Sequence, residues 1–143
     1  MAFTGNYTCT SFKLALLGGE MDFSSDTSQV FKVALYTSSA TLDADTTVYS
    51  TTNEVSGTGY TALGKTITPT ITTSGTTAYI DFADVSWTSS TITARGALIY
   101  KYDSSTNPAI VVLDFGADKT SSSTTFAVAF PTAAAASALI RVK

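Results

Sequence analysis

Residues 59–66 read GYTALGKT and match the phosphate-loop pattern of a glycine, four residues and then Gly-Lys-Thr. In nucleotide-binding enzymes this loop leaves a buried strand and opens a helix, so that backbone N–H groups converge on the phosphates. Residues 110–114, IVVLD, have the form of a strand that ends in a magnesium-holding aspartate. The two motifs together raise a nucleotide-binding hypothesis.

The residues around the first motif argue against that hypothesis. The stretch before it, VYSTTNEVSG, is polar and turn-forming, and the stretch after it, TITPTITTSG, is rich in β-branched residues around Pro69. Proline and β-branched residues disfavour the helix that a phosphate site needs. IVVLD is then better explained as a core strand. We interpret three motif residues as part of a flexible loop and a strand entrance: Gly59, Gly64 and Lys65.

Three aspartates could supply the paired carboxylates of a glycoside hydrolase. Asp81, Asp84 and Asp114 all lie in or beside predicted strands, but the chain has only two glutamates and no histidine to assist them. We interpret the three as surface or turn aspartates. The sequence therefore predicts a protein that is not an enzyme and needs no cofactor, with a glycan-cleaving activity on these acids as the least favoured hypothesis.

A calcium-loop pattern begins at Asp43. Asp45, Thr47 and Glu54 follow at the third, fifth and twelfth positions of such a loop. The sixth position needs a glycine and holds Val48, and no helices are predicted on either side. Calcium binding is therefore disfavoured, and no metal site is predicted.

The tyrosines allow two interpretations. Their rings could stack on sugars while the hydroxyls stay in water, or they could be ordinary strand residues with one polar tip. We favour the second interpretation and keep the first open. The tyrosines concerned are Tyr49, Tyr60, Tyr79, Tyr100 and Tyr102.

The chain length and the net charge limit the classes of protein to be considered. A chain of 143 residues with a net charge of -3 predicts a single domain, residues 1–143, that folds without disulfides. Nucleic acid is not an expected partner, because the two arginines, Arg95 and Arg141, stand far apart and no basic stripe exists. The N-terminus has no signal-peptide pattern, and no apolar run is long enough to cross a bilayer, so neither export by a signal peptide nor membrane insertion is expected.

Hydroxyl residues dominate the polar composition. The chain has 27 threonines and 18 serines, yet 44% of its residues are hydrophobic, which disfavours disorder. Threonine suits a strand with one face in water. The single cysteine, Cys9, is interpreted as a small apolar core residue rather than a reactive thiol, because no histidine is present to activate it.

The element pattern predicts an all-β protein. A helix is expected over residues 11–17, capped by Thr10 or Ser11 and stopped by Gly18-Gly19. A strand is expected over 30–36, and residues 37–59 form a long loop or a pair of short strands around Val48 and Val55. Further strands are expected at residues 61–72, 77–87, 92–103, 109–116, 124–131 and 137–143, separated by turns that include Ser74-Gly75, Ser89-Ser90 and the DKTSSS run at 118–123.

Seven or eight short strands with one helix predict an antiparallel β-sandwich of the jelly-roll or Greek-key kind. The brief TAAAASA run at 132–138 is expected to be a tight connection into the last strand. The predicted core consists of Phe31, Val33, Leu35, Ile80, Phe82, Trp87, Leu98, Tyr100, Val111, Leu113, Phe126, Val128, Phe130, Leu139 and Ile140.

Four stretches of the sequence carry a likeness to a known family. They are CTSFKLALLGGEMDFSSDTSQVFKVALYTSSATLD, EVSGTGYTALGKTIT, YIDFADVSWTSSTITARGALIYK and VLDFGADKTSSSTTFAVAFP. From about residue 9 to the C-terminus, the chain resembles a family of small virion proteins of tailed bacteriophages. The resemblance implies a β-sandwich similar to the capsid cement or decoration proteins that sit on an icosahedral shell. It offers no catalytic residue, and it leaves a tail or fibre-adaptor role open.

This resemblance implies a set of partners and a location. The expected partners are the major capsid protein and further copies of the chain, as a dimer or trimer at capsid symmetry axes. The expected location is the capsid surface, after synthesis in the cytoplasm of a bacterial host. Two segments without core periodicity, the N-terminal arm and the loop near residue 60, are the candidate capsid contacts, through Phe3, Tyr7, Thr58, Tyr60 and Lys65.

Overall fold

The structure is a computed structural model and describes residues 3–103 and 105–143. Eight strands and one helix make up its regular elements. In chain order they are β1 (Tyr7–Thr8), α1 (Thr10–Leu17), β2 (Val30–Tyr36), β3 (Lys65–Ile67), β4 (Pro69–Ser74), β5 (Thr77–Phe82), β6 (Val85–Tyr102), β7 (Ala109–Val128) and β8 (Ile140–Val142).

The strands form two antiparallel sheets. One has five strands in the order β1-β7-β6-β2-β3, and the other has three in the order β4-β5-β8. Strands β6 and β7 form one long hairpin that makes the centre of the larger sheet. The predicted all-β, sandwich-like fold with about eight strands and one short helix is confirmed.

The core also follows the prediction closely. Thirteen of the fifteen predicted core residues are buried, whereas Phe130 and Leu139 are partly buried and pack against the core. Phe23, which the sequence analysis did not include, lies at the centre of an aromatic cluster. Its ring centroid is 4.5 Å from that of Phe31 and 6.3 Å from that of Phe82. This cluster joins the two sheets, because Phe31 lies in β2 and Phe82 lies in β5.

The chain passes between the sheets at two neighbouring points. Thr68 separates β3 from β4, and the residues 83–84 separate β5 from β6. The amide of Ala83 donates to the carbonyl of Thr68 at 3.1 Å, so the two crossings lie side by side. The predicted continuous strands 61–72 and 77–87 are therefore wrong, since each is divided between the two sheets. Proline at the first position of β4 fits this division, because it cannot donate within a ladder.

Two predicted turns lie inside strands. Ser89-Ser90 falls within β6 and the run 118–123 falls within β7, where the register shifts at β-bulges. The buried hydroxyl of Ser90 lies 2.7 Å from that of Ser121 and donates to the carbonyl of Thr124. Serines here satisfy the polar groups of an irregular ladder rather than forming a turn, which is why their sequence signal was misleading.

The helix has the predicted length to within one residue. Its N-cap residue is Cys9, whose side chain makes no capping hydrogen bond, so the predicted capping role of Thr10 or Ser11 is wrong. The amides of Gly18 and Gly19 bond back to the last turn and end the helix as predicted. Among the residues that the structure describes, no helix is long and apolar enough to span a membrane.

Candidate functional site

Residues 49–64, here called the anchored loop, contain most of the motif residues that the sequence analysis singled out. They precede β3, and isolated bridges are the only strand-like pairing within them, at Glu54 and Thr58. Several of their side chains are exposed at the protein surface, including Thr58. The loop therefore presents irregular backbone at the surface, and other contacts must hold it in place.

The carboxylate of Glu54 is the centre of those contacts. Its Oε1 atom accepts hydrogen bonds from the hydroxyl of Tyr60 at 2.7 Å and from the amide of Leu63 at 2.9 Å. Its Oε2 atom accepts one from the hydroxyl of Tyr49 at 2.5 Å. Glu54 is half-buried. One side chain therefore joins three points of the loop that are up to 14 residues apart.

The tyrosines continue these contacts into the larger sheet. The hydroxyl of Tyr60 accepts a hydrogen bond from the amide of Leu35 in β2 at 2.9 Å. The ring of Tyr49 stacks on that of Tyr100 in β6, with centroids 4.7 Å apart. The hydroxyl of Tyr100 in turn donates to the carbonyl of Leu63 at 2.8 Å. The anchored loop is thus bonded to two central strands.

The four tyrosines around Glu54 are neutral donors. Burial raises the pKa of the phenols of Tyr36, Tyr49, Tyr60 and Tyr100 well above the ordinary value of 10. For Tyr49 and Tyr60 the hydrogen bond to Glu54 raises the pKa further, because the carboxylate accepts from the protonated phenol. At neutral pH these groups hold the loop and are not activated as nucleophiles or bases.

The motif glycines serve close packing. Gly64 has a φ of +65°, and a Cβ atom placed there would lie 1.9 Å from the carbonyl oxygen of Val33. Gly59 has a φ of +82°, and a Cβ atom would lie 2.8 Å from the Cα of Ser90. Both conformations favour glycine, and neither site leaves room for a side chain. These glycines let the anchored loop approach β2 and β6.

The lysine of the motif is also engaged within the protein. The Nζ atom of Lys65 donates to the carbonyl of Ser86 at 2.6 Å and lies 5.7 Å from the centre of the Trp87 ring. Strand β3 begins at Lys65, where a phosphate site would need a helix. The interpretation of a strand entrance is confirmed, whereas the loop before it is held by hydrogen bonds rather than flexible as predicted.

The calcium-loop pattern does not converge in space. Glu54 is bonded to tyrosines, and the Oδ1 atom of Asp43 accepts from the amide of Asp45 at 2.9 Å. The described residues contain no group of three or more histidine, cysteine or acidic side chains that could hold a metal ion.

The tyrosines do not form one sugar-binding face. Tyr100 is fully buried and Tyr79 is 9% exposed, so neither ring is open to a ligand. Tyr102 is exposed, and the Nζ atom of Lys32 lies 4.1 Å above its ring centre. Tyr79, Tyr100 and Tyr102 are strand residues as predicted, whereas Tyr49 and Tyr60 belong to the anchored loop, which Tyr100 contacts from β6.

The three candidate aspartates are divided between two places. Asp114 lies in β7 and forms an ion pair with Arg95 at 3.0 Å, so it is not at a turn, although it lies at the edge of the sheet just beyond the pairing of β7 with β1. Asp81 and Asp84 line one open depression beside Phe130, whose amide donates to Asp84 at 2.8 Å. Asp114 does not line that depression. A carboxylate pair that includes Asp114 is therefore not assembled.

The five predicted contact residues differ in accessibility. Phe3 is only 5% exposed, because its ring packs over Gly96, and a buried side chain cannot serve as an outward contact. Tyr7 is half-buried in β1 and pairs with Val112. The predicted outward-reaching N-terminal arm is therefore wrong from Phe3 onward, since it completes the larger sheet.

The second predicted contact segment keeps its exposed part. Thr58 and Lys65 are exposed, whereas Tyr60 is half-buried and turned toward Glu54. Sequence reasoning identified the segment but missed the role of Glu54 as its anchor. The only available signal was a single glutamate in a region otherwise rich in hydroxyl residues and tyrosines. Comparison of the chain with protein-family models, with curated proteins and with solved structures found no match.

Proposed function

We propose that this chain is a structural virion protein, a capsid cement protein that binds the outside of an icosahedral phage shell and stabilises the contacts between capsomers of the major capsid protein. The resemblance described above motivates the class of function. The anchored loop is the structural observation that supports it. The proposed activity is binding and involves no catalytic step.

A cement protein must bind many equivalent sites without paying a large ordering cost at each one. A loop that is already fixed before binding loses little conformational freedom on association. The contacts of Glu54 with Tyr49, Tyr60 and Leu63 fix such a loop and leave Thr58 and its neighbours facing solvent. The exposed part of the anchored loop is therefore the proposed shell contact.

Stabilisation of the shell follows from selective binding. A protein that binds the assembled lattice, and not its dispersed subunits, shifts the equilibrium toward the lattice. The proposed location is the capsid surface, and the proposed state there is a dimer or trimer that matches a capsid symmetry axis.

The test is a count of copies in purified virions by quantitative mass spectrometry, with the major capsid protein as internal standard. The proposal predicts a copy number on the order of that of the capsid protein, and lower thermal resistance of virions stripped of this chain. A handful of copies per virion, or unchanged resistance after stripping, would contradict it.

The alternative is a tail or fibre-adaptor protein that binds glycans on the host surface. It would use exposed tyrosines together with the loop over residues 37–59, and the burial of Tyr100 and Tyr79 removes two of the tyrosines from any sugar-binding face. A low copy number together with binding to host-surface polysaccharide would favour this alternative.

A further inference from the structure

Strand β4 is the open sheet edge best suited to accept another strand. It pairs with β5 through six consecutive residue pairs without a bulge, carries no charged residue and has proline only at its first position. The outer edge of β7 is longer, but register shifts interrupt it, and bulges are one way in which proteins block strand addition. Strands β1, β3 and β8 have only two or three residues each.

The register of β4 defines which backbone groups face outward. The amide of Ala83 donates to the carbonyl of Thr68, which makes this pair a hydrogen-bonded pair at the start of the β4–β5 ladder. Hydrogen-bonded and non-hydrogen-bonded pairs alternate along an antiparallel ladder. Ile71 and Thr73 therefore direct their N–H and C=O groups away from β5. Among the described residues, no hydrogen bond to these groups is formed.

An apolar groove lies beside this edge. The side chain of Ile71 shares one face of the sheet with Ile80 and Ile140, because directly paired residues lie on the same face. The groove encloses about 220 Å³, and Ile71 and Val142 at its rim are 50% and 57% exposed. Its other walls are Leu16, Met21 and Phe23. An added strand could therefore place apolar side chains against this wall.

The segment opposite β4 is acidic. Asp22 lines the groove, and Glu20 and Asp26 lie close to it in sequence and are exposed. Lys101 contacts this segment, with its Nζ atom 3.4 Å from the carbonyl of Glu20. Arg141 of β8 alternates with the groove residues Ile140 and Val142, so it lies on the other face of that sheet. Two copies of the chain paired through β4 would each carry this acidic segment beside the shared edge. Charge complementarity therefore favours a basic partner over a second copy.

We propose that the β4 edge binds an extended segment of another protein, which adds as a strand to the three-stranded sheet. The segment would pair with Ile71 and Thr73, place an aliphatic side chain in the groove and present lysine or arginine to the acidic segment. In strand addition of this kind, main-chain hydrogen bonds provide the affinity, and contacts of every second side chain provide the specificity. If the proposed function holds, the segment belongs to a shell protein; that identification alone rests on the proposed function.

The direct test is an NMR titration of the isotope-labelled protein with a synthetic peptide of alternating isoleucine and threonine flanked by lysines. We expect shifts and slowed amide exchange at Ile71 and Thr73, and at least tenfold weaker binding by the same peptide flanked by glutamates. Thr73→Pro removes an outward N–H group without removing a β4–β5 hydrogen bond, so it should weaken binding at least tenfold. Thr73→Val keeps the amide and should bind like the wild type.

Several outcomes would overturn the proposal. They are shifts confined to other surfaces, no binding at millimolar peptide, or equal binding by Thr73→Pro. Concentration-dependent shifts at Ile71 without peptide would indicate a second copy as the occupant and would also contradict it. Ile71→Lys serves as a second variant if Thr73→Pro does not fold, because a lysine on the edge repels a basic strand.

A shell-binding assay separates this proposal from the proposed function. Wild-type protein that decorates stripped shells, together with Thr73→Pro that decorates them equally well, would reject the β4 edge as the shell contact and leave the cement function standing. Wild-type protein that does not bind shells would reject the cement function, and the peptide titration would still decide whether the β4 edge binds a strand.

Discussion

Strands are usually held by hydrogen bonds on both sides, whereas loops usually are not. The anchored loop and the three-stranded sheet of this protein show the opposite arrangement. The anchored loop has almost no regular structure, yet its backbone is bonded through Glu54 and three tyrosines to the larger sheet. The three-stranded sheet is regular, yet one edge and part of one face lack partners in the described part of the chain. A sheet with regular strand pairing can therefore still have backbone groups and apolar side chains without partners.

The comparison suggests two kinds of binding surface. The anchored loop offers a contact surface whose shape is set before binding, whereas the β4 edge offers backbone groups that a partner must complete. The following predictions test this difference, beginning with the largest expected effect.

The first prediction compares one glycine from each region, Gly64 in the anchored loop and Gly75 in the three-stranded sheet. Gly64→Ala places a Cβ atom against the carbonyl of Val33 at a positive φ, so we expect the free energy of unfolding to fall by about 3 kcal/mol or more. Gly75→Ala, in the turn between β4 and β5, has a similar φ of +59° but open space around it. It should cost about 1 kcal/mol. Urea denaturation measures both, and equal losses would contradict the close packing of the anchored loop.

The second prediction compares two isoleucines that pair directly across the smaller sheet. Ile80 is 7% exposed and Ile71 is 50% exposed. Ile80→Ala should lower the free energy of unfolding by about 3 kcal/mol, as for other buried aliphatic side chains, and Ile71→Ala by less than about 1 kcal/mol. Chemical denaturation of both variants provides the measurement. A loss at Ile71 as large as that at Ile80 would contradict the open groove, because it would mean that the Ile71 side chain is already packed against other residues.

The third prediction concerns the anchor itself. Glu54→Ala leaves the hydroxyls of Tyr49 and Tyr60 without their acceptor and the amide of Leu63 with only the Tyr49 hydroxyl, so we expect a loss of about 2 kcal/mol in the free energy of unfolding. Glu54→Gln keeps the shape and one acceptor oxygen and should lose less. Glu20, the other glutamate, is exposed, so Glu20→Ala should change the free energy of unfolding by less than about 0.5 kcal/mol. Similar values for Glu54→Ala and Glu20→Ala would contradict the anchoring role.

The fourth prediction concerns pH. Burial raises the pKa of the Tyr60 phenol above its ordinary value of 10, so above pH 10 the unfolded chain releases this proton while the folded chain keeps it. The unfolded state then binds fewer protons, and the free energy of unfolding falls as the pH rises. We expect this contribution to be constant below about pH 10 and to be lost above it. Denaturation from pH 8 to pH 11 should show a shallower decline for Tyr60→Phe than for the wild type, and identical declines would be contrary evidence.

The sequence was sufficient for the fold class and for most of the core, because strand periodicity is local. Phe31, Val33 and Leu35 alternate along β2, and all three are buried as predicted. The errors arose where tertiary contacts override local signals. The Ser89-Ser90 pair reads as a turn, but its partner strand β7 accommodates it as a bulge.

The candidate site was less predictable than the fold. The sequence drew attention to the segment around Tyr60 through a match to a nucleotide-binding motif. The glycines of that motif, Gly59 and Gly64, instead permit close packing against β6 and β2. The role of Glu54 depends on Tyr60, Leu63 and Tyr49 meeting in space, which spacing along the chain does not reveal. The open edge of β4 is equally invisible in sequence, because strand order decides which strands have neighbours.

The most direct test of the difference between the two regions is native-state hydrogen exchange of individual backbone amides, measured by NMR on the isolated protein. The account predicts slow exchange at Leu63 and Leu35, whose amides are bonded to Glu54 and Tyr60, and fast exchange at Ile71 and Thr73 beside slower exchange at Thr72. Fast exchange at Leu63, or protection of Ile71 and Thr73 equal to that of Thr72, would contradict it.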